Sequence, residues 1–554
     1  EIPMIPRNEK DETYEYIKQL TLELVKTPSL VRTETENDGA KKIHEIISQL
    51  PYFVEHPENL MLVPLEQDSL MRNCVFAYVQ GSSTKSNTVI LLSHYDTVDI
   101  DGYGELADFA FDPLVLKKKM KHIKFNRDVE NDLNSEDWLF GRGVVDMKSG
   151  IAQNIWALKQ FSTDPDALNG NILFISTPDE EAMGQGSLAA AMRLIQFKAE
   201  KDLDFVGLIN TDYTAPLYPG DPDHYIYAGS IGKYLLSFFV CGLDSHAGEC
   251  LEGLDANLVT SHLVTRISMN CDFCDEAEGQ ISPPPVTLKQ KDLKDVYNVL
   301  IPYEAVTYFN FFTFVKSPAE ILAIAKIEAE KVMKEISEHI HRQRQFFSDR
   351  SNIPFTEKKL NARVYTYDEF YRKTVIDKPD LKQALEKLEK EYLLDEADET
   401  KLSLELTKVL VEGSDEFFEN IPVIIVYLSP PFVPRVHVKN ETESEKKFHH
   451  ALQQAVKNSN CNIQIKPFFP YISDMSWYGM TDKPEDIKCI KANTPGFSRT
   501  CGVDLESISS LNIPTVNIGS HGKDAHKATE RLHMPYSFAT VPKLLHDTIT
   551  LLLT

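Results

Sequence analysis

Nowhere in the 554-residue sequence does an apolar run approach the length needed to cross a bilayer. The first residues, Glu1-Ile2-Pro3-Met4, lack the basic and apolar regions of an export signal. The expectation is a cytoplasmic protein without a membrane partner. Positive charge is also in short supply, since 58 Lys and Arg face 83 Asp and Glu for a net charge of −25. Polyanions repel such a chain, which disfavours nucleic acid and anionic lipid as partners. Cysteine is sparse, and eight thiols in a chain of this length do not suggest a disulfide framework. Cys271-Asp272-Phe273-Cys274 has no second pair, so ordinary packing or a surface loop outweighs a zinc ribbon. No internal repeat is visible, and the only compositional bias is an acidic and lysine-rich mixture near 377–415.

The chain is too long for a single hydrophobic core, so two or more domains are expected. Helical spacing at 13–25 and 40–50 is followed by short β-branched and leucine runs at 87–92, 171–176 and 205–209, with helical segments at 150–161 and 186–197 between and after them. This alternation predicts an α/β architecture whose mostly parallel sheet carries helices on both faces. After about Gly229 the style changes to strands at 234–240 and 305–315 and helices at 257–267 and beyond Ser317, which has good capping chemistry in Pro318 and Glu320. That stretch reads as a second, α+β domain, with a charged helical insertion near 358–420. A strand at 421–428 ends in Pro430-Pro431, and the α/β style returns with a helix at 443–456, a strand-like segment at 513–519 and a closing helix at 538–553. The expected organisation is a catalytic domain split between 1–230 and 436–554, with an inserted lid at 231–435.

Five segments end an apolar run in an acid or a histidine, and four of them fall at the ends of strands, where open α/β sheets gather functional groups. They are Ser93-His94-Tyr95-Asp96, Gly141-Arg142-Gly143-Val144-Val145-Asp146-Met147-Lys148, Pro178-Asp179-Glu180-Glu181, Asn210-Thr211-Asp212 and Asp524-Ala525-His526. His94 and Asp96 project to one side of an extended segment, so one can bind a cation while the other orients it, directly or through the backbone. Asp146 follows glycines that permit a tight turn; its two oxygens can bridge two cations, although a helix cap is the plainer alternative. Glu180 and Glu181 repel each other in a buried loop unless a cation or a proton intervenes, and otherwise form a solvated acidic turn. A metal beside Glu181 would leave Glu180 free to accept a proton from water.

In this combination and order, the segments resemble the M20 family of zinc-dependent peptidases and amidohydrolases, through H-x-D, G-R-G-x-x-D-M-K, D-E-E, a later acid, and a C-terminal A-H followed by an acid. Within it the chain resembles the subgroup named for arginine utilisation, whose long lid is similar to the segment 282–431. The resemblance implies a phosphorylase/hydrolase-like fold and two zinc ions, one held by His94, Asp146 and Asp212, the other by Asp146, Glu181 and His526. Cobalt or manganese would suit the same ligands. It implies Glu180 as general base, Asp96 as the orienting residue, and His526 rather than His521 as ligand because Glu530 follows in register. Asp244-Ser245-His246-Ala247-Gly248 is similar to the lid motif whose histidine stabilises an oxyanion, with Cys250-Leu251 replacing a proline common in relatives. Ser473-Asp474 is similar to a Thr-Asp on the substrate side. The implied activity is hydrolysis of an amide or peptide bond in a small peptide or N-acyl amino acid, with exopeptidase and deacylase both open. A silent family member used for binding or assembly is the alternative, which an intact Glu180 disfavours. Monomer and lid-mediated homodimer both fit.

Overall fold

The computed structural model describes residues 7–554 except 82–84, 358, 359, 361 and 395–397, with side chains from residue 12 onward. The reading of residues 1–4 lies outside the described residues. The chain divides into two compact units, one made of Glu1–Ser230, Val436–Thr481 and Ser507–Thr554, the other of Ile231–Arg435 and Asp482–Glu506.

The first unit is built on an eight-stranded sheet in the order Leu60–Pro64, Asn73–Gln80, Asn171–Thr177, Asn87–His94, Asp204–Asn210, Thr515–Asn517, His224–Tyr227 and Ile463–Lys466. The four central strands run parallel, as their near-continuous Val, Ile and Leu content predicts for strands covered on both faces. Side chains alternate between the faces. Val75, Ala77 and Val79 join a core with Ile43 and Ile47 of the helix Glu36–Ser48, whereas Tyr78 meets Phe197 of the helix Gln185–Lys201 edge-on on the other side. The first core continues through Ser149–Ser162, Glu443–Ser459 and Val541–Leu553, so helices cover both faces as expected.

Two glycines set how closely the site-bearing segments approach. A Cβ on Gly150 would lie 2.2 Å from Thr211 O, and one on Gly519 would lie 1.6 Å from Asp212 O. Any side chain at either position would push the Asp212 segment away from its neighbours.

The second unit has a five-stranded sheet in the order Val286–Asp292, Glu304–Thr313, Gly232–Cys241, Val423–Val433 and Arg363–Thr366, antiparallel but for its last pair. The helix Pro318–Ser351 begins with the expected Ser317–Glu320 capping box and packs with Ala256–Ile267 against this sheet. The charged stretch forms Tyr367–Val375, Pro379–Glu391 and Thr400–Glu412, which bury Phe370, Leu385, Leu402 and Leu410 against Phe239, Val306 and Ile425.

Two features differ from the sequence reading. The strand expected to stop before Pro430-Pro431 continues to Val433, because a register irregularity between Ser429 and Val433 absorbs the missing proline donors. The expected catalytic part 436–554 also loses Asp482–Glu506 to the second unit. There Asp486 pairs with Arg435 at 3.0 Å, Asn493 accepts from Asp368 N at 3.1 Å, and Pro495 O accepts from Ser403 at 2.7 Å. Among the described residues no helix is long and apolar enough to cross a membrane.

Candidate metal centre

His94 closes the central strand Asn87–His94, whose hydrogen bonds to both neighbours hold it rigidly at the carboxyl edge of the sheet. Its Nδ1 lies 3.1 Å from Asp96 O. A carbonyl can only accept, so Nδ1 carries the proton and the Nε2 lone pair points onward. It points at carboxylates, 3.2 Å from Asp146 Oδ1 and 3.7 Å from Glu180 Oε2, without hydrogen-bond geometry and with no partner among the described residues. A lone pair facing two carboxylates in a buried site calls for a proton or a cation between them.

Asp146 presents a different oxygen to each histidine. Oδ1 faces His94, while Oδ2 lies 2.9 Å from His526 Nε2, which is also 3.0 Å from Glu181 Oε2. Asp212, at the end of Asp204–Asn210, is buried; one group of potential ligand atoms joins it to His94 and Glu180, and another joins His94, Asp146 and Glu181. In each group the atoms lie within 4.8 Å of one another. A tetrahedral ion with ~2.0–2.1 Å bonds keeps its ligand atoms about 3.3 Å apart, close to the His94–Asp146 separation. Imidazole nitrogen and carboxylate oxygen suit zinc, cobalt or manganese. The donor set therefore fits a cation.

The supports of these groups are as specific as the groups themselves. Asp96 accepts from Glu180 N at 3.1 Å through one oxygen and from Glu181 N at 2.9 Å through the other, so it holds the acidic loop as well as His94. Beneath that loop, Arg72 binds Asp179 at 2.7 Å, Glu36 at 3.1 Å and Asp68 at 2.9 Å, and Glu36 accepts from Asp179 N at 3.0 Å. Arg142 donates to Glu530 at 2.6 Å and to His526 O at 3.3 Å, while Glu530 accepts from Val145 N at 3.2 Å and Asp146 N at 3.4 Å. One buried ion pair thus positions both Asp146 and His526.

Electrostatics follow from crowding acids in a dry site. Burial, then the charge of Asp146, pushes Glu181 up to about 8 and Asp212 up to about 7. Burial raises Glu180 well above the carboxylate range, with Glu181, Asp474 and Asp212 adding to the rise against the opposing pull of His94. Burial alone would lower His94, but Glu180, Asp146 and Asp96 outweigh it and raise it. Hydrogen bonds to Asp146 and Glu181 raise His526 to about 10. Asp146 itself goes down, because its two histidine partners outweigh its burial.

Each raised group binds its proton more tightly in the folded, metal-free protein than in the unfolded chain. Its stability contribution is therefore full below the unfolded value and is lost as pH rises through the folded one. For Glu181 that window runs from 4.5 to about 8, and for Asp212 from 3.8 to about 7. Metal displaces those protons. The melting temperature of chelator-stripped protein is expected to fall between pH 5 and 8 relative to the metal-loaded form; a gap independent of pH in thermal scans would contradict this.

His521 sits in a ring cluster with His224 at 4.6 Å, and burial pushes it down to about 3, whereas His526 lies at the carboxylates. His246 is in the second unit, exposed, with Nδ1 accepting from Gly248 N at 3.0 Å. Asp474 is buried, accepts from Thr177 Oγ1 at 2.9 Å and is among the acids that face Glu180. Cys271 and Cys274 are free thiols. His449 bonds Val438 O at 2.9 Å, and His341 meets the edge of Phe355, so neither is a ligand candidate. Sequence reasoning missed Glu36 and Arg72, which carry no spacing signal, and saw Asp179, Arg142 and Glu530 only as motif letters.

The family model for peptidase family M20/M25/M40 matches residues 90–549. The chain belongs to this family. Membership places it among metal-dependent hydrolases. Two relatives from Bacillus subtilis (strain 168) match nearly end to end. Protein RocB is 32% identical over 97% of this chain and 95% of its own, and the uncharacterized protein YqjN is 32% identical over 98% and 97%. Among solved structures, aminopeptidase PepT from Bacillus cereus ATCC 10987 aligns with a TM-score of 0.52 at 12% identity, covering 98% of this chain and 99% of that one. At that identity the likeness is one of fold, and the resemblance read from the motifs is a family relationship.

Proposed function

We propose that the protein hydrolyses an amide or peptide bond in a small substrate, using two divalent ions, zinc for preference, held by His94, Asp146 and Asp212 and by Asp146, Glu181 and His526. The observation that carries this reading is the placing of Asp146, whose two oxygens face two different histidines at 3.2 Å and 2.9 Å. A carboxylate so divided is suited to bridge two ions. Such a pair, when bound, supplies Lewis acidity for the scissile carbonyl and acidifies the attacking water.

The chain's own groups do the rest. Glu180 takes the proton of the attacking water and returns it to the leaving nitrogen, and its neighbour Glu181 is committed to His526. Asp96 keeps both glutamates in place by binding their backbone N–H groups. His246 accepts the Gly248 N–H at Nδ1, which leaves the proton of a neutral ring on Nε2, the form that donates to a developing oxyanion. His246→Ala is expected to lower kcat about 10²–10³-fold with a smaller change in KM. Steady-state kinetics showing the loss wholly in KM would remove that role.

The substrate class is tested by a hydrolysis screen over dipeptides and N-acyl amino acids, arginine derivatives included. Chelator-sensitive turnover of at least one class is expected. Turnover indifferent to chelator, or none of any class, would leave the reading without support.

A further inference from the structure

The second unit contains an open cavity of 660 Å³, walled by the helices Tyr367–Val375, Pro379–Glu391 and Thr400–Glu412 and by the segment 491–504. The walls are tied together by hydrogen bonds. Besides the Ser403–Pro495 and Asp368–Asn493 links, the Arg499 guanidinium reaches the carbonyls of Glu389 and Tyr392 at 3.2 Å each, joining the 491–504 segment to the end of a helix.

Two independent observations say what such a cavity would hold. The first is Tyr367, which is 8% exposed, lines the cavity and packs beside Tyr371 with ring centroids 6.0 Å apart. Among the described residues nothing hydrogen-bonds its hydroxyl. A phenol that opens on a cavity and has no protein partner is left to bond what enters that space. The second is charge. Asp368, Glu386 and Glu389 line the cavity; Asp368 is balanced by Arg372 at 2.8 Å, and the cationic lining residue, Lys491, is taken up by Glu506 at 2.5 Å. Glu389 accepts from Ser498 at 2.6 Å, a neutral donor, and Glu386 stands 62% exposed, 4.0 Å from Lys382. The field this leaves is felt at Tyr371, raised first by burial and then by Glu386 and Glu389.

We propose that this cavity is a second ligand site, taking a small organic cation such as an alkylamine or a guanidine, with its charged end toward Glu386 and Glu389 and its stem on Tyr367, Tyr371 and Leu385. Aromatic faces and carboxylates both favour a cation over a neutral molecule of the same shape. The Tyr367 hydroxyl then gains a donor. The site is independent of the hydrolytic reading, since none of its residues belongs to the carboxylate and histidine cluster of the first unit.

Isothermal titration of the full-length, metal-loaded protein at low salt with cadaverine, agmatine and neutral 1,5-pentanediol tests it. Both cations are expected to bind, with the diol at least about tenfold weaker. Tyr367→Phe, which keeps the ring, and Glu386→Gln, at an exposed position, are each expected to weaken cation binding about 3- to 10-fold at unchanged melting temperature. Equal binding of the diol, unchanged affinity in either variant, or no cation binding overturns the proposal.

Discussion

Glu180→Gln is expected to lower kcat by about 10²–10⁴-fold and to leave the metal content of the protein near its starting value. The amide keeps the shape of the side chain but cannot take a proton from water at neutral pH. The loop itself has little reason to move, because it is held through the Glu180 and Glu181 N–H groups by Asp96 and through Asp179 by Arg72 and Glu36. Proximity alone does not separate base from ligand, since an oxygen of Glu180 lies within 4.8 Å of ligand atoms of His94 and Asp212. Metal content does separate them. A ligand lost would appear as fewer ions per chain by elemental analysis, whereas a base lost leaves the ions and removes the turnover. Retained turnover would end the assignment of Glu180 as base.

Asp146→Ala is expected to have the larger effect, because one substitution removes a ligand from both proposed ions. Metal content should fall below one ion per chain and turnover by about 10⁴-fold or more, toward the uncatalysed background. Removing an unshared ligand such as Asp212 should leave the Glu181 and His526 side of the site able to retain an ion. The contrast between these two variants, read as metal per chain after gel filtration, tests whether Asp146 is shared. If Asp212→Ala strips both ions and Asp146→Ala strips one, the bridge is in the wrong place.

Much of this site was legible in the sequence because its groups end strands. His94 and Asp212 each close a run of buried β-branched or leucine residues, and such runs advertise both the strand and the edge where it stops. His94 and Asp96 are also close enough in sequence for extended geometry to relate them. His526 is another matter, since 380 residues separate it from Asp146, and only the motif order preferred it to His521. The structure supplies a physical distinction, a carboxylate pair at one ring and a cluster of aromatic rings at the other.

What was not legible depends on contacts between residues with no pattern of their own. Arg72 gathers Asp68, Glu36 and Asp179 from a turn, a helix and a loop, and nothing in their spacing announces a buried cluster. Asp482–Glu506 follows α/β chain and returns to it, so composition assigns it to the first unit, yet its polar side chains bind Arg435, Asp368 and Glu389 in the second. The strand through Pro430-Pro431 was cut short because a proline pair is ordinarily a ladder's end, and only the pairing partner reveals the irregularity that accommodates it.

Hydrolysis is proposed to depend on two ions, with Asp146 a ligand to both. That dependence is tested most directly by stripping the protein with chelator, adding zinc in measured equivalents, and following turnover of the best substrate from the screen. Turnover is predicted to be absent in the stripped protein and to rise to a plateau at two equivalents per chain. Turnover that survives stripping, or that reaches its plateau at one equivalent, would contradict it.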